Sequence, residues 1–141
     1  MTMTLSGQIA DGVHHLDLRV YFEDTDFSGI VYHANYLKFC ERGRSDMLRL
    51  AGVHHAELTK QGMHFVVRRM ECDFRAPARI DDVLRVETRV KHATGARLVM
   101  AQSVLLDGRV LFEADVTVAM INRSGRPQRL PTKMMQAMSQ G

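Results

Sequence analysis

Apolar and polar residues alternate along much of the second half of the chain. The alternation is almost unbroken over residues 83–91, where the even-numbered positions place leucine, valine and threonine on one face. A period of two is typical of a strand with one buried and one solvated face. Similar patterns predict further strands at about residues 65–75, 97–106 and 109–122, the last two joined by a hairpin at Asp107-Gly108.

The first half combines one strand pattern with the spacing of helices. Residues 16–22 alternate and predict a half-buried strand. Over about residues 34–51, apolar positions recur every three to four residues, which predicts one long amphipathic helix that ends at Gly52. Gly43 inside this helix costs roughly 1 kcal/mol relative to alanine, so we expect the helix to approach the sheet closely there. Shorter helices are predicted at about residues 54–61 and 132–138.

This order of elements, a strand, a long helix and then four strands, predicts an α+β fold with an antiparallel sheet. The chain has 141 residues, of which 45% are hydrophobic and 25% charged, as in an ordinary globular domain. We therefore expect a single domain over residues 1–141. Its core should span about residues 14–122, followed by a tail at 123–141.

No apolar run is long enough to span a bilayer, and the first ten residues lack the pattern of a signal peptide. A cytoplasmic location is the expectation that follows. Two cysteines are too few for a disulfide framework, so both are expected to be reduced. Cys40 lies in the apolar stripe of the long helix, where burial should raise its pKa and make it a poor nucleophile.

The formal net charge of +3 comes from dispersed arginine and lysine residues, and neither an RNA-binding aromatic motif nor a zinc-finger spacing is present. Nucleic acid is therefore not an expected partner. The pairs His14-His15 and His54-His55 are not chelating units, because adjacent side chains diverge on strands and on helices alike. With no HExxH or CxxC motif either, we predict no metal site.

Residues 21–36 carry the strongest sign of chemistry. Asp26 closes an acidic loop, Ser28-Gly29 supplies a turn, and a helical pattern begins shortly afterwards. The start of a helix offers unpaired amide N–H groups and partial positive charge, which can hold a carbonyl oxygen as it becomes an oxyanion. A carboxylate facing the same space would supply a base or a nucleophile, which indicates attack on an activated carbonyl.

The run Glu23-Asp24-Thr25-Asp26-x-x-Gly29-Ile30-Val31-Tyr32-His33-Ala34-Asn35-Tyr36 resembles the signature of the Tol-Pal-associated acyl-CoA thioesterases. The likeness continues through residues 39–44, 65–70 and 76–82 and covers about residues 16–122. These enzymes belong to the hotdog-fold thioesterases, alongside 4-hydroxybenzoyl-CoA thioesterase. The resemblance implies an antiparallel sheet wrapped around a long central helix. It also implies hydrolysis of an acyl-CoA thioester to the free acid and coenzyme A.

The resemblance assigns catalysis to Asp26, as nucleophile or as general base, although an aspartate in a turn is also a common capping residue. His33 is the second catalytic candidate, acting first through its backbone N–H and second through its imidazole. Gly29, Tyr32 and His33 form the expected oxyanion site. The chain departs from the family at Phe22, where many relatives have a tyrosine thought to assist the catalytic aspartate. Either that hydroxyl is dispensable, or another group such as Tyr32 supplies the hydrogen bond.

Arg79, Lys91 and Arg97 are candidates for contacts with the coenzyme A phosphates, although solvated strand ends explain the same residues. Met47, Met63 and Phe65 are expected to shape the acyl pocket. No cofactor is expected, because a thioester is already activated and coenzyme A is part of the substrate. The resemblance also implies a homodimer or homotetramer, with an acyl carrier protein as a further candidate partner.

Two other functions fit the pattern. A hotdog dehydratase or hydratase also uses a helix terminus at a thioester carbonyl, but such enzymes pair a histidine with a carboxylate in a different motif. A non-catalytic protein that binds acyl-CoA or an acyl carrier is the other alternative, and Phe22 is the feature that favours it.

Overall fold

A computed structural model describes residues 5–139 of the chain. It contains six strands: β1 Gln8–Ala10, β2 Val13–Arg19, β3 Met63–Phe74, β4 Val83–Thr94, β5 Arg97–Leu106 and β6 Arg109–Asn122. It contains three α-helices: α1 His33–Leu50, α2 His55–Lys60 and α3 Thr132–Ser139. A 3₁₀ turn at Phe22–Asp24 lies between β2 and α1. The predicted α+β class is confirmed.

The strands form one sheet in the order β1-β2-β4-β5-β6-β3, and every neighbouring pair is antiparallel. Strands β4, β5 and β6 follow one another in space as they do in sequence. Strand β3 leaves that order and pairs with β6, so it forms one edge of the sheet. Its far side carries backbone groups that are free to pair with another strand.

Helix α1 lies across one face of the sheet, and Gly43 is its point of closest approach. A Cβ atom at this position would lie 2.9 Å from Val86 Cγ1 and 3.2 Å from Thr88 Oγ1. Only glycine leaves room for that contact, as the sequence predicted. The helix ends within one residue of its predicted end, and Gly52 follows with a φ of 81°, a conformation that glycine adopts readily.

The core lies between α1 and the inward-facing positions of β4, β5 and β6. These positions hold Leu84 and Val86 on β4, Leu98, Met100 and Val104 on β5, and Leu111, Phe112, Ala114, Val116, Val118 and Met120 on β6. The tail also belongs to this core, because Met134 and Met138 on α3 are buried in the same cluster.

The N-terminal segment differs from the sequence expectation. Residues 8–10 form β1, an edge strand that the pattern did not predict, and β2 begins before the predicted start and ends at Arg19. The chain leaves the sheet there because Val20, fully buried, donates its N–H to Asp82 O instead of to a strand. No helix within residues 5–139 combines the length and hydropathy needed to cross a bilayer.

Candidate active site

The loop before α1 is a short hairpin closed by the residues that the sequence singled out. Asp26 donates its N–H to Ile30 O at 2.9 Å, and Gly29 donates to Asp26 O at 3.0 Å. Gly29 has a φ of 77°, so a residue with a side chain would be strained there. Asp26 is thus held at the tip of a tightly bonded turn.

The Asp26 carboxylate is exposed and only partly engaged. Its Oδ1 accepts the Ser28 N–H at 2.8 Å, and within residues 5–139 no donor reaches Oδ2. The side chain lines an open recess of about 620 Å³ whose other walls are largely apolar, formed by Phe22, Thr25, Phe27, Gly29 and Ile80. Phe22 therefore shares this recess with Asp26, whereas Tyr32 is not among its lining residues. One carboxylate oxygen remains available to react.

Backbone and side-chain bonds tie this loop to the first turn of α1. Asp24 O accepts the Tyr32 N–H at 3.0 Å and the Asn35 Nδ2 at 2.8 Å. Val31 donates to Ala78 O, and Ala78 in turn donates to the hydroxyl of the buried Tyr36 at 3.0 Å. The hairpin, the helix start and the segment after β3 are therefore held as one unit.

The amide groups at the start of α1 are not equally available. Gly29 and Tyr32 donate within the loop, and Asn35 donates to Tyr32 O at 2.8 Å. Within the described residues, the N–H groups of His33 and Ala34 have no acceptor. An oxyanion could reach His33 N–H directly, whereas Gly29 and Tyr32 would first have to release the bonds that shape the loop.

The His33 ring lies among aromatic side chains at the mouth of the site. Its centre is 4.5 Å from that of Tyr32 and 6.0 Å from that of Phe74, with an edge-to-face arrangement against Phe74. Both His33 and Phe74 are exposed. Behind them Tyr36 stacks on Phe112 at 5.2 Å, which gives the helix start a rigid apolar support.

The three candidates for phosphate contacts lie in different places. Arg79 pairs with Ile30 in an isolated bridge, which puts it beside the active loop. Lys91 binds Asp115 Oδ2 at 2.8 Å, and this bond raises the pKa of the Lys91 ammonium. Arg97 lines a separate open recess of about 490 Å³ together with Arg68, Arg69 and His92. Only Arg79 belongs to the neighbourhood of Asp26 in the same chain.

Sequence reasoning missed a cavity of about 210 Å³ between α1 and β3, which we call the α1–β3 cavity. Met47 and Phe65 line it, as expected for residues that shape an acyl pocket, whereas Met63 does not. Its polar residues are Glu41, Arg44, Ser45 and His55. Its remaining walls are apolar and come from Leu48, Val66, Val67, Leu98, Met100, Val118 and Met134.

The sequence contains one signal that could have indicated this cavity, a glutamine among apolar strand positions. Gln102 occupies an inward position of β5 that is otherwise apolar, and it is buried. Its Nε2 donates to Cys40 O at 2.9 Å and to Thr88 Oγ1 at 2.8 Å, and its Oε1 accepts Arg44 Nη1 at 2.9 Å. A glutamine on an apolar strand face indicates a hydrogen-bonding partner on the helix above it.

Cys40 and the pair His14-His15 lie away from the Asp26 loop, whereas His55 of the second pair lines the α1–β3 cavity. Burial raises the pKa of the Cys40 thiol to about 12, as predicted, so it is not a nucleophile at neutral pH. His14 is buried against Asp46, while His15 contacts Gln8 at the surface. Within residues 5–139, no group of three His, Cys, Asp or Glu side chains could hold a metal ion.

Known proteins provide an independent comparison. The acyl-CoA thioester hydrolase YbgC of Escherichia coli O6:H1 is 38% identical over 120 residues, which cover 84% of this chain and 90% of that protein. The acyl-CoA thioesterase YbgC of Haemophilus influenzae is 41% identical over 106 residues, which cover 74% of this chain and 78% of that protein.

A solved structure and a family model agree with these relatives. A probable thioesterase from Bartonella henselae matches with a TM-score of 0.81 and 47% identity, covering 84% of this chain and 99% of that one. The family model of the thioesterase-like superfamily matches residues 20–138, which include the active loop, α1 and the whole of β3 to β6. The chain therefore belongs to the thioesterase-like superfamily, with the hotdog fold that the sequence predicted.

Proposed function

We propose that this protein hydrolyses acyl-CoA thioesters, with Asp26 and the first amide of α1 as its reacting groups. One observation supports this most strongly: a partly free carboxylate and an unpaired helix N–H are held by the same hydrogen-bonded hairpin. The family model matches this loop, and relatives named acyl-CoA thioester hydrolase and acyl-CoA thioesterase match most of the chain. The 18-residue α1 would serve as the central helix of the hotdog.

The chemistry follows from the charge that develops on the substrate. As the thioester carbonyl carbon is attacked, negative charge builds on its oxygen, and the His33 N–H together with the helix dipole stabilises that charge. Asp26 acts in one of two ways. It attacks the carbon and expels the coenzyme A thiolate, leaving an anhydride that water cleaves, or it takes a proton from the water that attacks.

A second copy of the chain completes the site in this proposal. The free edge of β3 invites antiparallel pairing with β3 of another copy, and Val67 and Phe74 on this strand are exposed apolar residues. Phe22, Phe27 and Ile80 around Asp26 are also exposed. A homodimer built on this edge would cover these surfaces, and a homotetramer would follow from pairing two such dimers.

The same pairing offers a use for the basic recess at Arg97. Arg97 on β5 pairs with Ala119 on β6, which in turn pairs with Val66 on β3. Val66 lies eight residues along β3 from Phe74, a length of about 26 Å. Because the His33 ring lies 6.0 Å from that of Phe74, Arg97 and His33 are far apart in the same chain. Antiparallel pairing of two edges would bring the Arg97 of one copy towards the loop of the other, where it and Arg79 could bind the coenzyme A phosphates. Lys91 would first have to leave Asp115.

The decisive experiment is thiol release from a panel of acyl-CoA thioesters by the wild type and by Asp26→Asn. The variant removes the charge but keeps the turn, so we expect kcat to fall by about 100-fold or more with an unchanged melting temperature. Asp107→Asn is the matched control, because Asp107 sits at a φ of 49° in the exposed β5–β6 turn, which asparagine tolerates.

Other outcomes separate the alternatives. Near-native turnover by Asp26→Asn would remove Asp26 from the mechanism. Saturable acyl-CoA binding without turnover by the wild type would favour a non-catalytic binding protein. Faster cleavage of acyl carrier protein thioesters than of the matching acyl-CoA would make the carrier the partner. Cell fractionation would test the predicted cytoplasmic location.

A further inference from the structure

A positively charged side chain, Arg44, lines the α1–β3 cavity without a direct ion pair to any described residue. Arg44 is half-buried on α1, and within residues 5–139 no carboxylate oxygen lies within the 4.0 Å of an ion pair with it. Burial lowers the pKa of its guanidinium, although an arginine stays protonated at neutral pH. The guanidinium is thus partly withdrawn from water, and Glu41 offsets that cost only through space, without a direct ion pair.

The fold also holds this guanidinium in place. The Cys40 carbonyl can only accept a hydrogen bond, so it fixes the amide nitrogen of Gln102 towards itself and the amide oxygen towards Arg44. Arg44 uses Nη1 for that bond, and within the described residues its other N–H groups have no acceptor. The fork is therefore oriented with donors to spare, which is the arrangement that binds an oxygen group on a ligand.

We propose that the α1–β3 cavity receives the acyl group of the substrate and that Arg44 binds an oxygen at its distal end, selecting acyl groups that end in a hydroxyl or a carboxylate. This inference rests on the proposed thioesterase function and deepens it by naming the substrate class. Met47, Phe65 and Met134 contact the methylene carbons, and Arg44 reads the terminus.

The size of the cavity limits the acyl group. An apolar cavity of about 150 Å³ in a protein core is large enough for benzene. At about 210 Å³, the α1–β3 cavity accommodates a group slightly larger than benzene, such as a five-carbon chain with a terminal oxygen. The cavity is partly open, so a long fatty acyl chain would extend beyond its walls. Met134, fully buried on α3, is one of the side chains that limit the space.

The cavity serves the site of a second copy, not its own. Arg44 follows His33 by eleven residues on one helix, a rise of about 16 Å, which exceeds the reach of a five-carbon acyl group. Antiparallel pairing about the middle of β3 sets Phe74 of one copy against Met63 of the other. His33, next to Phe74, then faces the end of β3 where Phe65 and Val66 line the cavity of the second copy.

Two other titratable groups line the cavity. Glu41 is exposed on α1, three residues before Arg44, and His55 is exposed at the start of α2. A terminal hydroxyl and a terminal carboxylate could each bind Arg44. Glu41 distinguishes them, because it could accept a hydrogen bond from the hydroxyl but would repel the carboxylate.

The test uses three CoA thioesters of equal chain length: pentanoyl-CoA, 5-hydroxypentanoyl-CoA and glutaryl-CoA. For the wild type we expect kcat/KM to be about 10- to 100-fold higher for at least one oxygen-terminated substrate than for pentanoyl-CoA, the range of one charge-assisted hydrogen bond. Arg44→Met should reduce this ratio to about one; the ratio is the readout because the variant also removes the donor to the buried Gln102 Oε1 and can lower turnover of every substrate. Arg44→Lys, which keeps the charge and can still donate to Gln102, should retain part of it.

Arg42→Met is the matched control, since Arg42 is exposed on the same helix and does not line the cavity. Equal turnover of all three substrates by the wild type, or an equal loss on all three in Arg44→Met, would overturn the inference while leaving the thioesterase intact. Dissociation constants for the same thioesters with Asp26→Asn separate the two proposals further. An Arg44-dependent preference in binding without any wild-type turnover would keep the pocket and refute the hydrolase.

Discussion

Two aspartates near opposite ends of α1 have opposite surroundings. Asp26 precedes the helix, is exposed, and accepts one hydrogen bond on one oxygen. Asp46 lies in the C-terminal half, is buried, and accepts from His14 Nε2 at 2.7 Å and from Gly7 N at 2.8 Å. Arg49 Nη1 lies 3.7 Å from its other oxygen. The Asp26 carboxylate therefore has an oxygen available to a ligand, whereas both oxygens of Asp46 are engaged in contacts within the fold.

In the proposed mechanism, this difference separates the end of the helix that takes part in the reaction from the part that stabilises the fold. Asp46 on α1 binds His14 of β2 and the Gly7 N–H just before β1, and the Cys40 carbonyl on α1 accepts from Gln102 of β5. Such groups stabilise a fold only while every partner is present. At the N-terminal end, His33 N–H and Asp26 Oδ2 have no partner within residues 5–139, so both are available to the reaction proposed above.

Removing each carboxylate gives the largest contrast. Asp46→Ala leaves the buried His14 ring and the partly buried Gly7 N–H without an acceptor, so we expect a loss of about 2–4 kcal/mol in the free energy of unfolding. Asp26→Ala should change that free energy by about 0.5 kcal/mol or less, as expected for an exposed side chain. Urea unfolding at one fixed protein concentration measures both. Equal destabilisation by the two variants would contradict the distinction.

The reactive end can be tested by deleting one amide. His33 is the first residue of α1, and Tyr32 before it is extended, with φ −62° and ψ 131°, so His33→Pro is compatible with the helix and removes the N–H. We expect kcat to fall by about 10²–10³-fold. His33→Ala removes only the ring and should lower kcat by less than about tenfold. Equal losses would assign the role to the imidazole instead.

The structural part can be tested at Gly43. A methyl group there would lie 2.9 Å from Val86 Cγ1, so Gly43→Ala should push α1 away from β4 and destabilise the fold by about 1–3 kcal/mol despite the better helix propensity of alanine. Lys38→Ala, at an exposed site on the same helix, is the control. Thermal unfolding compares them. A more stable Gly43→Ala would mean that the helix and sheet can separate without loss.

The smallest effect is a pH dependence of stability. Burial lowers the pKa of His14 below 6.5, even though Asp46 acts to raise it, and within the described residues the His14 Nδ1 has no hydrogen-bond partner. The unfolded chain therefore binds more protons than the folded one below about pH 6.5. Stability should fall as the pH drops through this value, by at most about 1.4 kcal/mol per pH unit, and level off below the folded-state pKa.

His14→Gln isolates this contribution, since the glutamine amide can still donate to Asp46 but does not titrate. The difference in unfolding free energy between the wild type and this variant, measured from pH 8 to pH 5, should shift towards the variant as the pH falls. A difference that stays constant over this range would show that His14 does not titrate between the two states.

Local sequence patterns were sufficient to predict most of the helices and strands. The period of β4, the length of α1 and the close approach at Gly43 were all predicted, because each depends on residues adjacent in sequence or on one face. Strand β1 was missed, since three residues are too few for a period to emerge and the strand is held by pairing with β2 and by Asp46. Whether so short a segment pairs with the edge of a sheet depends on residues distant in sequence, so its own sequence does not predict it.

The sequence by itself determined the family, the antiparallel sheet, the long helix and the order of Asp26, Gly29 and His33 in one loop, because spacing along a chain dictates turns and helix starts. The amides of that loop that remain unpaired could be identified only from the folded structure. The same is true of the contact between Arg44 and Gln102, which are 58 residues apart in sequence and meet beside an apolar cavity. Hydrogen-bond partners distant in sequence are chosen by packing, and packing leaves no local pattern from which to predict them.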